Sequence, residues 1–207
     1  ARRRLFADAQ GPGLGEWGDP RMSRVSTAYL LTCAAIGVAG GALLAGAWAV
    51  SVVLFATVPF ASIAIAGVWV LPAVIALRLL ERPLAGLLVG LISGLVLSPF
   101  YTFGAIATTL FWSFFPELPF LATLYRRWAT WLHYVGAVAI GIAYPLFAAQ
   151  SFDLWSMHPA LVAAFIGLCM ASCLAGTWLG ILVADRLRRA GVARLARRRP
   201  ASAASPV

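Results

Sequence analysis

The stretch VPFASIAIAGVWVLPAVIALRLLERP, residues 58–83, decides the fold. Residues 58–77 of it carry no charge, and the run then closes on Arg78, Glu81, Arg82 and Pro83. A helix needs about 20 apolar residues to cross a bilayer core of about 30 Å. A charged, proline-marked turn directly behind such a run reads as a span end at the membrane surface.

The same grammar repeats outward from Val25 to about Ala184, with breaks at Ser98–Thr102, Tyr125-Arg126-Arg127-Trp128 and Gln150–His158. Ala56–Phe60 is the weakest break, because nothing charged precedes Arg78 in the run from Ser26. About six transmembrane helices are predicted, near 26–50, 58–80, 84–100, 103–125, 129–149 and 159–185. The chain is therefore read as an all-α integral membrane protein. Residues 1–24 read as a flexible cytoplasmic leader, 25–185 as the transmembrane domain and 186–207 as a basic cytoplasmic tail.

Composition agrees. Of 207 residues, 62% are hydrophobic and 11% are charged, against about 25% charged in soluble domains. That much apolar surface does not fit into one soluble core, so a secreted domain, a cytosolic enzyme and a nucleic-acid-binding domain are excluded. All 16 basic residues are Arg, which excludes a Walker A loop and Schiff-base lysine chemistry. Cytoplasmic segments of membrane proteins hold the basic excess. Six spans with both termini cytoplasmic put all 16 on that side. The Arg-rich termini are then expected to bind anionic lipid headgroups. Arg78 and Glu81 read as an interfacial pair three residues apart.

Glu117 is the acidic residue deepest in a predicted span, within Trp112-Ser113-Phe114-Phe115-Pro116-Glu117-Leu118-Pro119. An ionisable group at membrane depth faces a partner or a cavity. Pro116 and Pro119 each remove a helix hydrogen bond. Carboxylate, freed carbonyls and aromatic rings together predict a mid-membrane pocket for a flat N–H donor or a small organic cation. The alternative is a packing kink with Glu117 bonded to a neighbour. Trp69, Tyr101, Phe152 and Trp155 lie near outer span ends, where aromatic belts are usual, and the Gln150–His158 loop is a candidate lid.

Other motifs carry less. Gly13, Gly15 and Gly18 spell a dinucleotide fingerprint with no strand before it. His133 and His158 lie far apart along the membrane normal, and neither has metal-ligand company. Cys33, Cys169 and Cys173 sit in apolar stretches as small hydrophobes. No catalytic set and no cofactor site is expected. Small-residue faces at Gly37/Gly41, Gly86/Gly90/Gly94 and Gly176/Gly180 are expected to pack helices, or to dock another subunit.

Three stretches carry a family resemblance. They are Gly67-Val68-Trp69 through Arg82-Pro83 into span 3, Glu117 through Tyr125-Arg126-Arg127-Trp128, and Pro159-Ala160-Leu161 through Gly176 and Gly180 to Asp185-Arg186-Leu187. In this order the chain resembles the S components of energy-coupling-factor vitamin transporters, closest to the YkoE-like branch. In that family Trp112–Glu117 is replaced by Gln-Gly-Leu-Gly-Ala-Glu, so only the Glu matches. The resemblance implies a substrate-binding subunit, not an enzyme, in a prokaryotic plasma membrane. It would capture a vitamin or precursor, thiamine or hydroxymethylpyrimidine, for a transmembrane coupling subunit and cytoplasmic ATPase subunits. The expected substrate contacts are Glu117, Trp112, Trp69, Phe115, Tyr101 and Trp155. The rival reading is a non-transporting membrane assembly or regulatory partner that binds no small molecule.

Overall fold

The computed structural model describes residues 26–192; the expected leader and most of the basic tail lie outside them. Among the described residues, seven α-helices form five segments long and apolar enough to cross a membrane and, in α4, a sixth, shorter apolar one. α1 is Thr27–Thr57, α2 Pro59–Ile63, α3 Leu71–Leu80, α4 Ala85–Tyr101, α5 Gly104–Ala122, α6 Thr130–Ala148 and α7 Pro159–Arg189.

α1 overshoots its expected end at residue 50 because nothing stops it there. It ends where Pro59 forces Val58 out of the helical region, to φ −139° and ψ 82°. Its 31 residues span about 46 Å at 1.5 Å each, well beyond the bilayer core.

The second span, Pro59–Leu80, is not one helix. α2 gives way to a 3₁₀ turn at Ala66–Val68 before α3 begins. Broken backbone at membrane depth survives only where its polar groups find partners. Here the Ser172 hydroxyl of α7 accepts from the Gly67 N–H at 2.8 Å and donates to the Ala64 carbonyl at 2.7 Å. Such proximity requires glycine on both sides, since a Cβ on Gly67 would strike the Ser172 backbone and one on Gly176 the Gly67 backbone.

α4 packs between α1 and α5, α6 lies against α5 and α7, and α3 lies against α4 and α7. The small-residue faces are consumed inside the bundle. A Cβ on Gly37 would lie 2.6 Å from Ile92 of α4, and one on Gly180 would lie 2.9 Å from Val74 of α3. Along α4, Gly90 and Gly94 admit Ser113 and Thr109 of α5. Pro116 sits at the α5–α6 crossing, where a Cβ on Gly136 would lie 2.8 Å from its Cα. Both prolines of the Glu117 stretch thus lie buried inside a continuous helix. All three cysteines are buried free thiols.

The succession of spans gathers Arg78, Glu81, Arg82, Arg126, Arg127 and Asp185 at one end of the bundle. The ion pairs there differ from the expected Arg78–Glu81 contact. Arg78 reaches Asp185 of α7 at 3.0 Å, and Glu81 receives Arg188 of α7 at 2.9 Å. Arg188 also donates to the Arg78 carbonyl, and the Arg82 guanidinium lies over the Tyr29 ring of α1. Glu81 has a left-handed φ of 49° at the α3 C-terminus, which turns its carboxylate toward α7 instead of along its own helix.

Candidate ligand cavity

At the opposite end from these charges, the bundle forms a partly open cavity of about 660 Å³, within the range of small-molecule sites. α1 contributes Trp48, Ser51, Val52 and Phe55; the broken second span contributes Ser62, Ile63, Ala66 and Trp69. Tyr101 comes from the end of α4, and Ala107, Thr108, Phe111 and Trp112 come from α5. Tyr144, Phe147 and Ala148 of α6, with Ser151 and Phe152 of the following loop, complete it.

The broken second span forms part of the cavity wall: Ala66 of the 3₁₀ turn lines it, and Trp69 directly after the turn faces Trp112. The two indoles stack at 6.2 Å between centroids, and Trp112 touches the Tyr144 ring at 4.7 Å. Nearer the mouth, Trp48 meets Tyr101 edge-on at 4.2 Å, and Phe55 meets Phe152 at 5.1 Å. Among the described residues the lining is mainly aromatic and hydroxylic, with no charged side chain.

The sequence-predicted contacts divide. Trp69, Trp112 and Tyr101 line the cavity; Glu117, Phe115 and Trp155 do not. Trp155 is 72% exposed in the loop. Phe115 turns to the Phe111 ring, 5.1 Å away. Glu117 belongs to the other end of the bundle. It is 1% exposed, and its carboxylate accepts from the Leu87 N–H at 2.9 Å and from the Tyr125 hydroxyl at 2.9 Å. Leu87 lies in the first turn of α4, whose N–H groups have no intrahelical partner, so Glu117 caps α4 from a neighbouring helix. Gly86 makes room for it: a Cβ there would lie 2.8 Å from Glu117 Oε2. Burial, followed by the Glu117 charge, pushes the Tyr125 hydroxyl up to about 12, which keeps it a donor.

The two histidines part company as expected. His133 is buried against Phe120 at 4.8 Å, and His158 caps α7 by accepting from the Ala160 N–H at 3.2 Å. The lining residues that sequence reasoning missed are chiefly Trp48, Thr108, Phe111 and Tyr144. Trp48 and Tyr144 offered one signal, a polar-tipped aromatic within an apolar span.

The described residues thus form an all-α bundle of apolar, membrane-spanning helices with an aromatic cavity at one end. Residues 29–143 match the model of the family described as "ABC-type cobalt transport system, permease component", and the chain belongs to that family. It is a multi-pass protein of the prokaryotic plasma membrane and not an enzyme. Among solved structures, it is similar to a "crystal structure of an S-component of ECF transporter", with a TM-score of 0.73 at 19% identity, covering 82% of this chain and 88% of that one. No curated protein matches the chain.

Proposed function

We propose that the protein is the substrate-binding subunit of an ATP-driven energy-coupling-factor importer, capturing a vitamin or vitamin precursor in the aromatic cavity. The observation that carries this reading is the cavity itself, whose 660 Å³ and stacked Trp69–Trp112 floor suit a small flat ring. Thiamine or its pyrimidine precursor, hydroxymethylpyrimidine, is the proposed cargo, in keeping with the YkoE-like sequence pattern. Cobalt, the cargo in the family's name, fits less well. The cavity lining has no His, Cys or carboxylate, and no group of three or more such residues is assembled among the described residues.

Trp112, Trp69 and Tyr101 are the proposed stacking contacts, joined by Trp48 and Tyr144. Glu117 is assigned to the α4 cap instead of the ligand. The partners are a transmembrane coupling subunit and cytoplasmic ATPases, with the Arg-bearing end and both termini cytoplasmic, next to anionic lipid. The assembly-partner alternative loses its main support, because the small-residue faces it would use are buried within the bundle.

The test is a titration of purified protein in detergent with thiamine and hydroxymethylpyrimidine, followed by quenching of its eight tryptophans. Saturable quenching at micromolar concentration or below by one of them is expected. Flat traces from folded, monodisperse protein would refute the assignment.

A further inference from the structure

The chemistry of the lining points further than its shape. Five hydroxyl-bearing side chains, Ser51, Tyr101, Thr108, Tyr144 and Ser151, face the cavity and make no side-chain hydrogen bond among the described residues. The indole N–H groups of Trp69 and Trp112 are likewise unbonded. Hydroxyls donate or accept as the ligand requires, so this wall matches a molecule carrying both kinds of group.

Among the described residues no formal charge lines the cavity. Glu117 is a turn and a half further along α5 from Trp112, and both its carboxylate oxygens are engaged, by Leu87 and Tyr125. Asp153 follows Phe152 in the loop, but its carboxylate accepts from the Ser156 hydroxyl at 2.7 Å and does not line the cavity. The arginines of the ion-paired belt lie at the far end of the bundle. An ion entering such a space would shed its hydration with no counter-charge to replace it. Aromatic faces return part of that cost to a cation and none to an anion.

We infer that the cavity selects an uncharged, ring-bearing ligand, held by stacking on Trp69 and Trp112 and by hydrogen bonds to the free hydroxyls around it. This rests on the reading of the cavity as the capture site. Within that reading it favours the neutral pyrimidine precursor over the quaternary thiazolium of thiamine.

Three probes share one pyrimidine ring and differ in charge: hydroxymethylpyrimidine is neutral, thiamine is a cation and hydroxymethylpyrimidine phosphate is an anion. Titrated by calorimetry against the full-length protein in detergent at neutral pH, the neutral probe is expected to bind at least about tenfold more tightly than either ion. Equal or tighter binding of thiamine or of the phosphate would overturn the neutral-ligand inference while leaving the capture role intact. No saturable binding of any of the three would instead defeat the capture reading for this ring, and the inference with it. A second arm places a carboxylate in the wall. Thr108→Asp is expected to shift the thiamine-to-neutral preference by about tenfold or more toward the cation. An unchanged ratio in folded Thr108→Asp protein would overturn the placement of the ring beside α5.

Discussion

Replacing Glu117 by Gln separates an architectural carboxylate from a ligand-binding one. In the structure Glu117 accepts two hydrogen bonds, from the Leu87 N–H and the Tyr125 hydroxyl, each at 2.9 Å. A hydrogen bond to a charged group contributes about 1.5–3 kcal/mol and a neutral one about 0.5–1.5 kcal/mol. Gln has one acceptor oxygen: it keeps the Leu87 N–H contact in neutral form and meets Tyr125 only with the direction reversed, its Nε2 donating to the hydroxyl oxygen, so the substitution should cost about 1–3 kcal/mol of stability. For a chain of this size that lowers the unfolding midpoint by about 2–10 °C. Ala keeps neither contact; it orphans a buried N–H and a hydroxyl at about 1–3 kcal/mol each. It should therefore be clearly worse than Gln. Ligand affinity should stay within about twofold of wild type in folded Glu117→Gln protein, because the carboxylate does not line the cavity. The assay is thermal unfolding in detergent by intrinsic fluorescence, paired with a ligand titration on the same preparation. A Gln variant with an unchanged midpoint and tenfold weaker binding would refute the capping role and return Glu117 to the ligand.

Other expectations follow from the same geometry. Trp112→Ala removes the ring that touches both Trp69 and Tyr144; it should weaken ligand binding by about 1–3 kcal/mol, read as a rise in Kd of about 5- to 150-fold. Ser172→Ala strips the partner from both the Gly67 N–H and the Ala64 carbonyl. It should destabilise the protein by about 2–5 kcal/mol, visible as a lower unfolding midpoint. A double-mutant cycle on Arg78 and Asp185 should show coupling of about 0.2–1 kcal/mol, as befits a partly exposed pair. The same cycle on Arg78 and Glu81 should show none, since Glu81 pairs with Arg188.

Span number was legible in the sequence because each break carries a charge or a proline, which bilayer physics penalises directly. Where no such signal exists the reading drifted. α1 runs to Thr57 because Val58, held extended by Pro59, is its first stop. The break inside the second span had no local signature beyond Gly67, because the group that satisfies it, Ser172, lies 105 residues away. Trp112 was legible only as a neighbour of Glu117, and Trp69 and Tyr101 only as aromatics near outer span ends, where belt residues are usual. Glu117 was legible as a buried carboxylate needing a partner, but not which partner. A cavity and a helix N-terminus make the same demand on sequence, and Leu87 is 30 residues distant. Thr108 looks like an ordinary span residue until α5 is packed into the bundle, and Tyr144 shows only its polar tip.

The central claim is that the aromatic cavity holds the cargo. Equilibrium dialysis of labelled hydroxymethylpyrimidine against wild-type, Trp112→Ala and Glu117→Gln protein tests it most directly. The account predicts about one saturable site per chain in the wild type, unchanged in Glu117→Gln and weakened at least about fivefold in folded Trp112→Ala. Unchanged affinity in Trp112→Ala with loss in folded Glu117→Gln would contradict it, placing the cargo at the opposite end of the bundle.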